Sequence, residues 1–119
     1  MGNFTNLKIW QNSHKLTLEV YILTSSLPKE ELFGLTSQLR RAAISVESNI
    51  AEGESRYTQK DKLNFFIQAR SSAAEVQTQL FLIHDIYSKL SVKANELKNE
   101  YEILSKQINS LITFRRNRI

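Results

Sequence analysis

The sequence predicts an all-α protein, an antiparallel up-down-up-down four-helix bundle. Three observations predict it. Apolar residues recur in four separate stripes, only three Gly and one Pro interrupt 119 residues, and the links between stripes are short. The stripes advance by alternating steps of three and four, an average of about 3.5 residues that keeps one seam of a helix facing its partners. Scarce Gly and Pro argue against a loop-rich or all-β chain, whose turns consume both. Short links make consecutive helices antiparallel neighbours.

The first helix carries Ile9, Ser13, Leu16, Val20, Leu23 and Leu27, and Pro28 ends it, because the residue before a proline is pushed out of the α region. "PKEELFG" bridges to the second helix and contains a short helical turn. The second stripe is Leu35, Leu39, Ala42, Val46, Asn49 and Gly53. Asn49 reads as a satisfied buried amide that fixes register. Gly53 reads as the residue past the helix end that takes a positive φ. Thr58, with Asp61 three residues on, caps the third helix. That helix carries Phe66, Ala69, Ala73, Val76, Leu80, Ile83, Tyr87 and Leu90. It runs about 30 residues, or ~45–50 Å, and forms the spine of the bundle. Glu52, near its start, is suited to free backbone N–H groups. The fourth stripe is Ala94, Leu97, Tyr101, Leu104, Ile108 and Leu111.

Helices 1 and 2 each carry a second stripe. On helix 2 it is Ser37, Arg41, Ile44, Ser48 and Ala51, opposite the core seam. Small residues around one Ile suit the close approach of another helix, so this face is the expected subunit interface. Adjacent residues project ~100° apart, so Arg40 flanks the core while Arg41 points into this face. Glu75 on helix 3 points away from its own seam and is a candidate partner across the interface. On helix 1 the second stripe is Trp10, His14, Thr17, Tyr21 and Thr24, either a wider flank of the core or a second interface.

The residues carry no catalytic or metal constellation. There is no Cys, and neither His14 nor His84 has the Glu three residues before it that di-iron bundles use; those positions hold Gln11 and Phe81. No phosphate-binding Gly loop or nucleophile elbow occurs. Arg70, Gln77 and His84 form a column beside the helix 3 seam, read as a hydrogen-bonded rim before a catalytic groove. The reading is therefore non-enzymatic, with no cofactor and no metal.

The formal net charge is +4, and the excess sits at the C-terminal end in Arg115, Arg116 and Arg118. The chain divides into a bundle over residues 1–114 and a basic tail over 115–119. Those three arginines are the candidate nucleic-acid contacts, giving sequence-independent phosphate binding. The same charge also complements a helix C-terminal dipole. No helix-turn-helix or RNP pattern supports base readout. "MGNFTNLKIW" lacks the basic-then-apolar pattern of a secretory signal, Asn6 does not fit N-myristoylation of Gly2, and no apolar run approaches a membrane span. No membrane partner is expected.

Phe4, Leu7, Trp10, Gln11 and His14, then "FGLTSQLRRAAISVESNIAEG" at 33–53 and "EVQTQL" at 75–80, resemble the four-helix bundle proteins encoded in intervening sequences of bacterial 23S rRNA genes, also labelled S23 ribosomal protein-like. One departure is Glu47, where the family often has Pro. The resemblance implies a homo-oligomer, with a pentameric ring as the assembly, bacterial origin and a cytoplasmic location. It implies little about activity. A similar bundle in diversity-generating retroelements is associated with nucleic-acid contact, an analogy at the level of fold. The functional expectation is a homo-oligomer with weak, sequence-independent affinity for RNA or DNA; the alternative is a protein-interaction scaffold with no nucleic-acid role.

Overall fold

The computed structural model describes residues 3–118; Met1, Gly2 and Ile119, and with them the myristoylation site and the last residue of the expected tail, lie outside the described residues. Four helices run α1 Lys8–Thr24, α2 Ser37–Ser55, α3 Gln59–Ile86 and α4 Ser91–Arg116, with no strand among the described residues. The bundle measures 46 × 21 × 20 Å. Helix α3 packs extensively on both α2 and α4, whereas α1 packs less extensively, on α2 and on α4. The expected four-helix bundle, with helix 3 as its spine, is what the chain forms.

All four seams point inward. Val20, Leu39, Val46, Phe66, Leu80, Ile83, Tyr101, Leu104 and Ile108 are fully buried or nearly so. Ala43, Ile50 and Ile112 join them, one position past the stripes read from the sequence. A straight helix drifts ~20° per heptad against a strict 3.5-residue repeat, so the buried stripe widens toward such neighbours. Asn49 and Leu35 are half-buried. Asn49 donates to the Ser45 carbonyl at 2.8 Å and to the Ser45 hydroxyl at 3.1 Å, and that hydroxyl bonds Ser72 on α3 at 2.8 Å. The amide is satisfied and joins a polar contact between helices.

Two expected boundaries are corrected. Helix α1 ends at Thr24, well before Pro28, and Thr24 and Ser25 there turn their hydroxyls back onto the Val20 and Tyr21 carbonyls, each at 2.8 Å. Gly53 lies inside α2 with no positive φ. Its purpose is room: a Cβ there would stand 2.6 Å from the Phe66 ring on α3. The glycine brings the α2 backbone against a buried aromatic.

The links use side chains as fasteners. Between α1 and α2, a turn at Lys29–Glu31 precedes a wide turn at Leu32–Thr36 broken at Gly34. The Glu31 carboxylate accepts from the Leu35 N–H at 3.3 Å and from the Tyr87 hydroxyl, tying this link to the α3–α4 turn. That hydrogen bond, with the charges of Glu31 and Glu30, raises the Tyr87 pKa above its ordinary value. At the other end, the Thr58 hydroxyl accepts from the Asp61 N–H at 3.1 Å and caps α3 as expected.

Candidate nucleic-acid interface

Up-down-up-down topology brings the end of α2, the start of α3 and the end of α4 to one end of the bundle. Helix α2 stops at Ser55, and Arg56, Tyr57 and Thr58 reverse the chain into α3. The α2 terminus carries free carbonyls and partial negative charge, which draw cations. Lys62 donates its Nζ to the Glu54 carbonyl at 2.7 Å, and Arg56 pairs with Glu52 at 2.9 Å. Glu52 is therefore an exposed partner of Arg56, not a group at the start of α3. The Arg115 guanidinium reaches from α4 to the Glu54 carboxylate at 3.3 Å, both side chains mostly buried.

Around that ion pair lie exposed cations. Lys60, Arg116 and Arg118 face solvent, as does Arg56 despite its surface pairing with Glu52. Aromatic rings alternate with them. Arg56 stacks over Phe65 at 4.5 Å, and Arg118 over Phe114 at 4.2 Å. Tyr57 is 99% exposed and Phe114 49%.

The three arginines singled out from sequence therefore divide. Helix α4 runs through Arg116, so Arg115 and Arg116 belong to the helix and not to a free tail. Arg115 is held by Glu54, while Arg116 and Arg118 are exposed. Arg56, Tyr57, Lys60 and Phe114 were missed. Residues 54 and 115 stand 61 positions apart, and only the closed bundle brings those two segments together.

The expected interface residues lie on the surface of α2. Arg41 and Ser48 are exposed, Ile44 is 42% exposed, and Ser37 and Ala51 are half-buried. Tyr21, Leu32, Thr36, Ser37, Arg40, Arg41 and Ile44 line a groove of about 340 Å³ there. Phe33, next to it in sequence, is 89% exposed. Arg40 turns to the core side as expected, donating to the Thr24 hydroxyl at 2.9 Å and stacking on Tyr21 at 4.4 Å. Glu75 is exposed on α3 and forms no ion pair among the described residues.

On α1, most of the second stripe is a flank of the core. Thr17 and Thr24 are buried. Trp10 stacks on His14 with ring centroids 4.9 Å apart, and His14 Nδ1 lies 2.9 Å from the Glu47 carboxylate on α2. Glu47, the departure from the family pattern, thus anchors α1 to α2.

The Arg70–Gln77–His84 column forms no cleft. Arg70 donates to Asn109 at 3.1 Å, and His84 pairs with its neighbour Asp85 at 2.9 Å, both at the surface. A cavity of about 440 Å³ lies elsewhere, between α1 and α4, lined by Lys15, Glu19, Lys93, Glu96 and Glu100 among others. No cluster of three or more metal-ligating side chains occurs among the described residues. None of the described helices is long and apolar enough to cross a membrane.

A family model described as 23S rRNA-intervening sequence protein matches residues 5–110. The chain belongs to that family. The resemblance carried by Phe4–His14, 33–53 and 75–80 is thereby established, and the match covers α1, α2, α3 and most of α4. The description of the 23S rRNA-intervening sequence proteins states no activity, and the matched span stops short of Arg115, Arg116 and Arg118. No curated protein matches the chain.

Proposed function

We propose that this 23S rRNA-intervening sequence protein is a non-enzymatic, homo-oligomeric four-helix bundle of the bacterial cytoplasm that binds RNA or DNA weakly and without sequence preference. The observation that supports binding is the convergence of Arg56, Lys60, Arg116 and Arg118 on one end of the bundle, around the Glu54–Arg115 pair. Exposed cations on separate elements track a phosphate backbone, and nothing there is shaped to read a base edge.

The homo-oligomer, with a ring of five copies as the expected form, is supported by the Ser37/Arg41/Ile44/Ser48/Ala51 face and the apolar groove beside it. Assembly repeats the basic end in every copy, and multivalency makes a weak single contact measurable. The same groove favours the second reading, a protein-interaction scaffold in which the basic end only keeps the bundle solvated.

Gel mobility shift of generic RNA and DNA at about 50 mM salt decides between them. The nucleic-acid reading expects a shift by the wild type and its loss when Lys60, Arg116 and Arg118 all become Ala, with mass by light scattering unchanged. No shift by the wild type leaves the scaffold.

A further inference from the structure

We infer that the basic end is a single-strand site, at which Tyr57 and Phe114 stack unpaired bases while the neighbouring cations hold the phosphates. This rests on the nucleic-acid reading above and narrows it to unpaired strands.

A three-residue turn between two helices has no need of an aromatic ring, and Tyr57 packs on nothing: it is 99% exposed. It stands between Arg56 and the capping residue Thr58, at the tip of the α2–α3 turn. The Glu54–Arg115 contact brings the end of α4, with Phe114 and Arg118, to the same end. Phe114 is half-exposed with the Arg118 guanidinium 4.2 Å above its ring. The Arg118 guanidinium thus lies on the Phe114 ring, while the Tyr57 ring is open to solvent.

Cations alone serve a duplex, whose phosphates face outward and whose bases are already stacked on one another. Exposed rings add nothing to that contact. Unpaired bases have free π faces, and stacking on aromatic side chains is the sequence-tolerant means of holding them. Tyr57 and Phe114 therefore change the preferred ligand from double to single strands. The shared chemistry is an unpaired base on a phosphodiester chain, from RNA or from DNA.

The test is fluorescence anisotropy with labelled single strands of about 16 nucleotides, the upper site size of one single-strand-binding module. RNA and DNA strands are compared with a duplex of the same length and salt. The wild type is expected to prefer the single strands. Tyr57→Ala is expected to weaken single-strand binding roughly tenfold, the size of one lost base stack, and to leave duplex binding unchanged. Tyr57→Phe keeps the ring and retains affinity. RNA and DNA responding alike to Tyr57→Ala supports stacking. Equal loss on single strand and duplex, or no loss on either, overturns the inference while nucleic-acid binding stands. Self-association that disappears with Tyr57→Ala also overturns it, because a second copy then covers the ring. No binding by the wild type removes the parent reading as well.

Discussion

Arg115 and Glu54 stand 3.3 Å apart, and this contact joins the last turn of α4 to the last turn of α2. The pair is mostly shielded from solvent, so loss of one partner leaves the other charge poorly solvated. Arg115→Ala should therefore destabilise the bundle by about 1–3 kcal/mol. Arg118→Ala, at an exposed position, should be nearly silent. Urea unfolding of the two variants checks the contrast; equal midpoints would mean that the ion pair does not hold the helix ends together.

Gly53 faces Phe66 in the same way that a socket faces a knob. Ala is ~1 kcal/mol better than Gly inside a helix. Here its Cβ would meet a fully buried ring at 2.6 Å, and overpacking costs about 1–3 kcal/mol. The clash wins, so Gly53→Ala lowers the thermal midpoint. Adding Phe66→Leu should recover part of the Gly53-specific penalty in a double-mutant cycle. Additive effects would show that the two positions are not coupled.

How far the sequence foretells this molecule differs between Gly53 and Leu80. Leu80 sits on a stripe, and periodicity alone places it at the centre, where it is fully buried. The seams, the Thr58 cap and the turned-in Arg40 are legible for the same reason: each depends on spacing within one helix. Gly53 reads as a helix end within its own stripe, because its real constraint comes from Phe66 on another helix. Arg115 reads as part of a free tail, because Glu54 is 61 residues away. His14 and Glu47 pair across α1 and α2, and nothing local announces that contact. Tyr57 is plain in the sequence, but its meaning depends on the cations that folding gathers beside it.

Leu80→Asp places a charge with no partner in the middle of the core. The bundle should lose its cooperative fold, read as lost helicity by circular dichroism. A folded Leu80→Asp protein would contradict the seam.

Tyr101 gives a prediction in pH. Its side chain is buried beside Thr17, whose own hydroxyl donates to the Ser13 carbonyl at 3.1 Å, and the phenol finds no hydrogen-bond partner among the described residues. Burial pushes its pKa well above the ordinary 10.0, and the Glu47 charge adds to the rise. The folded state therefore holds the proton more tightly than the unfolded chain. This contribution is full below pH 10.0 and is lost as pH climbs from there toward the folded-state pKa. Stability should fall steeply above that pH, and Tyr101→Phe should flatten the fall without loss at neutral pH, since it removes an unpartnered buried hydroxyl. Unfolding midpoints across alkaline pH check this; an unchanged slope would place the titration elsewhere.

Oligomerisation through the outer face of α2 is tested at Ala51, half-buried at the end of that stripe. Ala51→Arg should reduce the mass seen by light scattering and leave helicity intact. If the wild type is oligomeric and the variant keeps the same mass, the contact lies off this face.

In the proposed reading the basic end of the bundle neutralises phosphates, and the salt dependence of binding measures that directly. Each phosphate neutralised on a single strand contributes about −0.7 to the slope of log affinity against log salt. With Lys60, Arg116 and Arg118 engaged, the slope should be about −2 per bound chain, and the variant lacking all three cations should lose most of it. A wild-type affinity that stays flat as salt rises from about 50 to 200 mM, or an unchanged slope in the variant, would contradict the claim.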